Sequence, residues 1–123
     1  MRSRADRGAR AERAAGRYLR RAGYQIIDRN WRCRGGELDL ILARDDLIVF
    51  VEVRSVFTAY LGTPTQTVSA PKQARVGYAA GAWLRARRRV PGRVRFDVVG
   101  IVSRRRRWAI EHIEDAFCPP WAF

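Results

Sequence analysis

Between residues 4 and 22 the chain carries strong helix formers, and Ala11, Ala15, Tyr18, Leu19 and Ala22 recur at helical spacing. Gly23 supplies a stop. Tyr24 to Trp31 reads as a strand centred on Ile26 and Ile27, and Arg34-Gly35-Gly36 as the turn after it. Charged and apolar residues then alternate from Glu37 to Ala43. Arg44-Asp45-Asp46 marks a tight turn, and Leu47 to Val56 is the most strongly β segment of the chain. Gly62, Pro64 and several hydroxyl residues make 57–69 a loop. Ser69 can cap a second helix that tolerates Pro71 in its first turn, buries Val76, Ala79, Ala80, Trp83 and Leu84, and runs to about Arg88 before Pro91-Gly92 end it. Strands over Val94–Val102 and Trp108–Ile113 follow, joined by Arg104 to Arg107. The order α-β-β-β-α-β-β predicts an α/β domain with a mixed central sheet flanked by helices.

Composition adds a bias toward one class of partner. The 123 residues are 47% hydrophobic, enough for a small two-layer core and too much for a disordered chain. One domain over 1–123 is expected, with about 1–5 and 118–123 flexible. The 25 Lys and Arg against 12 Asp and Glu give a net charge of +13, and Lys72 is the only lysine. Such an excess speaks against an acidic small-molecule-binding protein or a neutral secreted scaffold and favours a polyanionic partner such as nucleic acid. Codon bias is a second source of an arginine-rich composition. Cys33 and Cys118 show no metal-ligand spacing and read as unpaired thiols of a reducing compartment, and His112 is the single histidine. No apolar run approaches the roughly 20 residues of a membrane span. The expectation is a cytoplasmic protein with no membrane association.

Acids stand where the strand pattern calls for scrutiny. Alternation places Glu37 and Asp39 on one face, with Leu38, Leu40 and Leu42 on the other. Glu52 and Arg54 likewise share a face. A two-residue Asp45-Asp46 turn sets Asp39 opposite Glu52 and Glu37 opposite Arg54. Opposed carboxylates repel, and a divalent cation such as Mg²⁺ relieves the repulsion while keeping waters for a phosphate. A solvated strand end with Asp39 paired to an arginine is the alternative, and a one-residue register slip would separate the acids. Glu12 sits in a helical row with Gly8, Gly16 and Leu19. The two glycines cost helix stability and fit a close backbone approach; solvent pairing of Glu12 with Arg13, Arg17 or another arginine is the plainer reading.

Gly8-x-x-x-Glu12, Tyr18-Leu19, Gly23-Tyr24, Arg29-Asn30-Trp31-Arg32-Cys33, Gly36-Glu37-Leu38-Asp39-Leu40-Ile41 and Val49-Phe50-Val51-Glu52-Val53-Arg54 occur in order. Gly62-Thr63-Pro64, Lys72-Gln73, Arg95-Phe96-Asp97-Val98-Val99, His112-Ile113 and Ala116-Phe117 continue the series. Together these resemble the bacterial YraN family from about Gly8 to Phe117. That family is similar to archaeal Holliday-junction resolvases of the restriction-endonuclease-like superfamily. The resemblance implies a three-layer endonuclease-like fold and a PD-(D/E)xK site. Asp39 and Glu52 match its two acids and would hold Mg²⁺ or Mn²⁺, and Glu12 matches the acid of the first helix. The departure is Arg54 at the lysine position. Arginine keeps the charge and can fork onto phosphate, but it does not deprotonate.

Two activities follow from the resemblance: metal-dependent cleavage of branched or structured DNA, or nucleic-acid binding by a non-catalytic module in which Arg54 replaces the lysine. An RNA- or ribosome-associated role fits the charge but leaves the acid pair without a purpose. Lys72, Arg75, Arg87, Arg88, Arg104 and Arg105 are the candidate nucleic-acid contacts. The tryptophans Trp31, Trp108 and Trp121 are candidate stacking surfaces, while Trp83 at helical spacing reads as core. Resolvase-like relatives act as dimers, so the resemblance also implies a homodimer, whose interface the sequence does not locate.

Overall fold

The computed structural model describes residues 4–57, 68–104 and 107–119. Most of the expected loop at 57–69, Arg105, Trp121 and parts of both expected flexible ends lie outside these residues. The elements are α1 (Arg4–Arg21), β1 (Gln25–Cys33), β2 (Gly36–Arg44), β3 (Leu47–Phe57), α2 (Ala70–Ala86), β4 (Arg93–Arg104) and β5 (Arg107–Ile113). Their order is the one the sequence predicts.

Local chemistry sets the boundaries. Gly23 adopts φ 98°, its N–H donates to Arg20 O at 3.0 Å, and Tyr24 N–H donates to Leu19 O at 3.1 Å. This paired pattern satisfies the last carbonyls of α1, and Tyr24 and Leu19 pack together in one core. Ser69 caps α2, its Oγ accepting from Lys72 N–H at 3.3 Å. The far end of α2 differs from expectation. Arg88 takes φ 51°, and Arg88 and Arg89 N–H donate to Arg85 O and Leu84 O. A left-handed arginine therefore ends the helix at Ala86, ahead of Pro91-Gly92.

The five strands lie in the order β1-β2-β3-β4-β5. Neighbours are antiparallel except β3 and β4, which α2 joins as a parallel pair. Asp45 at φ 55° makes the tight turn between β2 and β3, and the observed pairs run from Arg44↔Leu47 to Leu40↔Val51. That is the predicted register.

Each face of the sheet carries one helix. α1 covers Leu40, Leu42, Val49, Val51, Val99 and Ile101 through Ala11, Ala15 and Leu19. α2 covers Ile41, Ile48, Phe50, Phe96 and Val98 through Val76, Ala79, Ala80, Trp83 and Leu84. Leu38 departs from the predicted alternation. It packs in the α2 core while Leu40 and Leu42 lie under α1. The break coincides with Asn30 at φ 51° on the neighbouring strand, between the pairs Arg29↔Leu40 and Trp31↔Leu38.

The close backbone approach expected at the α1 glycines is not there. A Cβ on Gly8 would meet nothing within 4 Å, and one on Gly16 would meet only the Ile26 side chain at 3.2 Å. The approach occurs instead at the β1–β2 turn. A Cβ on Gly36 would lie 2.5 Å from the Arg75 carbonyl oxygen, so only glycine lets the turn rest on α2. No helix among the described residues is long and apolar enough to cross a membrane.

Candidate functional site

The β2–β3 pairing stops at Leu40↔Val51, and the next residues along the two strands are Asp39 and Glu52. Asp39 Oδ2 accepts the Val53 N–H at 2.8 Å, so a side-chain oxygen takes a backbone donor where the ladder ends. The same break corrects the expected pairing of Glu37 with Arg54. Glu37 turns to β1 and forms an ion pair with Arg32 at 3.2 Å. Arg54 acts electrostatically on Glu52.

Asp39 and Glu52 act on each other's ionisation, the Asp39 charge raising Glu52 and the Glu52 side chain lowering Asp39. Burial first and then the Asp39 charge push the Glu52 carboxyl up to about 7, against the pull of Lys72. Burial also raises Asp39, opposed first by the Val53 N–H and then by the Lys72 charge. Near neutral pH Glu52 is therefore part-protonated, first because burial disfavours its charge and then because Asp39 repels it. α2 enters directly above them. Lys72 Nζ lies 3.4 Å from Glu52 Oε1, and only 11% of the Glu52 side chain is exposed.

Glu12 reaches the same region from α1. Burial raises its carboxyl, Asp39 raises it further, and a hydrogen bond from the Asn30 side chain opposes both. Its partners are thus Asn30 and, electrostatically, Arg29, both of β1, so the arginine that acts on it is another than Arg13 or Arg17. Glu12 feels Asp39 without joining a tight ligand cluster: among the described residues no group of three or more His, Cys, Asp or Glu converges as a metal site. The donors offered to a cation are two carboxylates. Two hard oxygen ligands with the remaining positions left to water suit Mg²⁺ or Mn²⁺.

A cleft of about 320 Å³ lies beside the acids, lined by Arg32, Cys33, Gly36, Glu37, Lys72, Arg75 and Val76. Its cations, Arg32, Lys72 and Arg75, come from β1 and the first turns of α2. The structure thus brings together Glu12, Asp39, Glu52, Arg54, Lys72 and Arg75. It does not bring Arg87 and Arg88 there. They sit at the opposite end of α2, where Arg87 forms an ion pair with Asp28 and its guanidinium lies 5.6 Å from the Trp83 ring centre. Arg104 ends β4, paired with Arg107. Trp83 is buried, as expected, and its indole N–H donates to Asp28 at 3.0 Å.

The most connected polar cluster lies elsewhere, and sequence reasoning gave it no role. Asp97 is fully buried. It accepts from Arg95 Nε at 2.8 Å and from Asp115 N–H at 3.0 Å, and its Oδ2 lies 2.7 Å from His112 Nε2. Tyr18 Oη meets His112 Nδ1 at 3.0 Å, which ties α1 to β4 and β5. These bonds hold the Asp97 carboxyl below its ordinary value against the cost of burial. Arg95 and Asp97 at alternate positions on one strand face were the available signal.

A five-stranded mixed sheet between two helices, with an acid pair where two central strands part, defines the class of domain. Comparison with known proteins places it further: the chain belongs to the uncharacterised protein family UPF0102, whose family model matches residues 11–101. It is 50% identical over 111 residues to a UPF0102 protein of Rhodococcus opacus, covering 89% of this chain and 94% of that protein. A Myxococcus xanthus UPF0102 protein is 46% identical over 114 residues, covering 93% and 90%. One from Geobacter metallireducens is 40% identical over 110 residues, covering 89% and 90%. This is the family to which the YraN-type pattern points.

Proposed function

We propose that the protein is a metal-dependent endonuclease-like protein with the restriction-endonuclease fold, acting on phosphodiester bonds in branched or structured DNA. The observation that carries this reading is the buried Asp39–Glu52 pair, two acids that burial makes costly to ionise and of which Asp39 further opposes the charge on Glu52. A protein keeps such a pair at a cost in stability, and a bound divalent cation repays it. When bound, Mg²⁺ or Mn²⁺ would acidify water and neutralise charge on the phosphate. Asp39 and Glu52 hold the ion. Arg54 and Lys72 clamp phosphate oxygens, and Arg75 and Arg32 receive the adjoining backbone through the basic cleft. Glu12, steadied by Asn30, orders water on the α1 side of Asp39.

The test is cleavage of four-way junction, flap and single-stranded DNA with Mg²⁺ or Mn²⁺, comparing wild type with Asp39→Ala. Metal-dependent cleavage by wild type alone supports the reading. Equal cleavage by both proteins identifies a contaminant and removes it.

Two observations favour a second reading, nucleic-acid binding without catalysis. Lys72 already supplies a cation to Glu52, and Arg54 stands where the nuclease pattern has lysine. Steeply salt-dependent DNA binding with no cleavage under any divalent metal selects it.

A further inference from the structure

The sheet has two edges, β1 and β5, each with one neighbouring strand among the described residues. An edge strand presents a row of backbone donors and acceptors to any other chain, and proteins guard such rows with bulges, charges and irregular backbone. β1 carries all three. Its register shifts between Ile26 and Asp28, Asn30 takes φ 51°, and Asp28, Arg29 and Arg32 line the strand.

β5 has a different edge. It pairs with β4 without a register shift, from Val98↔Ile113 to Arg104↔Arg107, and contains neither proline nor glycine. Trp108 and Ile110 are 46% and 38% exposed at alternate positions, so two large apolar side chains stand side by side on one face. The Arg10 guanidinium lies 6.0 Å from the Trp108 ring centre.

We propose that β5 forms the interface of a symmetric dimer, in which two copies pair β5 to β5, antiparallel, about a two-fold axis at Ala109. The segment Arg107-Trp108-Ala109-Ile110-Glu111 is complementary to itself about that axis. Arg107 meets Glu111 of the partner subunit, Trp108 meets Ile110 of the partner subunit, and the small Ala109 faces its own copy. Each contact occurs twice, as a two-fold interface requires. An axis at Ile110 would instead set Arg107 against Ile113 and lose both opposite-charge pairs.

Two chains of net charge +13 repel, but residues 107–115 are locally acidic, with Arg107 against Glu111, Glu114 and Asp115, and Glu114 already pairs with Arg95. Charge attraction across the axis therefore rests on the two Arg107–Glu111 crossings. The joined sheet leaves Asp39 and Glu52 clear, since β4 separates β5 from β3. The proposal is independent of metal binding and cleavage, and it locates an interface that family resemblance alone leaves unplaced.

Sedimentation equilibrium of the full chain across the micromolar range tests it. Wild type is expected at twice the 14.1 kDa chain mass. Arg107→Glu and Glu111→Arg should each fall to the single-chain mass, because each sets like charges opposite each other twice. An equimolar mixture of these two variants should return to the doubled mass, since both crossings then join opposite charges. Ile110→Lys should be single-chain alone and in either mixture, with far-UV circular dichroism confirming that each variant folds. A single-chain wild type overturns the proposal. So does a doubled mass that survives all three substitutions, or a charge-variant mixture that stays single-chain.

Discussion

Glu52→Gln should stabilise the metal-free protein, increasingly as pH rises from about 4.5 to 7. Burial and Asp39 raise the Glu52 carboxyl from 4.5 to about 7 in the folded chain. At about 1.4 kcal/mol per pH unit, ionising Glu52 in the folded state costs up to about 3 kcal/mol. A group raised on folding contributes its stability fully below its unfolded value and loses it as pH rises through its folded value. Wild type should therefore lose stability between pH 4.5 and 8. Glutamine keeps the shape of the protonated acid, can still accept from Lys72, and cannot ionise. At pH 8 the variant should be more stable by up to about 3 kcal/mol, a rise in Tm of roughly 10 °C, and the gap should close near pH 5. Urea denaturation at both pH values, with chelator present, measures this. A variant less stable than wild type at pH 8, or a gap independent of pH, would refute a Glu52 carboxyl raised by burial and by Asp39.

Three other substitutions probe the scaffold. Asp97→Asn removes the charge that Arg95 and His112 share in a fully buried position, and should cost about 3 kcal/mol or more in urea denaturation. Because Asp97 is lowered on folding, wild type should also lose stability as pH falls below about 3.8, a loss the variant should not show. Gly36→Ala forces a methyl toward the Arg75 carbonyl and should destabilise by about 1–3 kcal/mol. Gly8→Ala meets open space within α1 and should stabilise by up to about 1 kcal/mol, read as a higher Tm.

The β2–β3 hairpin was legible because a period-two pattern and a two-residue turn together leave one register, and that register sets Asp39 beside Glu52. Ser69, Gly23 and the buried face of α2 were legible for the same reason: each is decided within a few residues. What escaped was decided across the fold. Leu38 changes faces where Asp39 takes the Val53 N–H and Asn30 turns to positive φ on the next strand. Lys72 reads as a plain phosphate contact until the start of α2 is seen to lie above Glu52. Arg88 carries no left-handed signature, since that conformation ordinarily selects glycine or asparagine. Asp97 gathers Arg95, His112, Asp115 and, through His112, Tyr18 from three elements and the tail, and no local pattern announces such a cluster.

The claim that Asp39 and Glu52 form a divalent-cation site is tested most directly by a crystal structure of the protein soaked in Mn²⁺, read by anomalous scattering. The account predicts one peak bridging the two carboxylates, with Lys72 displaced from Glu52, and no peak in Asp39→Ala crystals. A soaked wild-type crystal with no peak there and Lys72 still paired with Glu52 would contradict it.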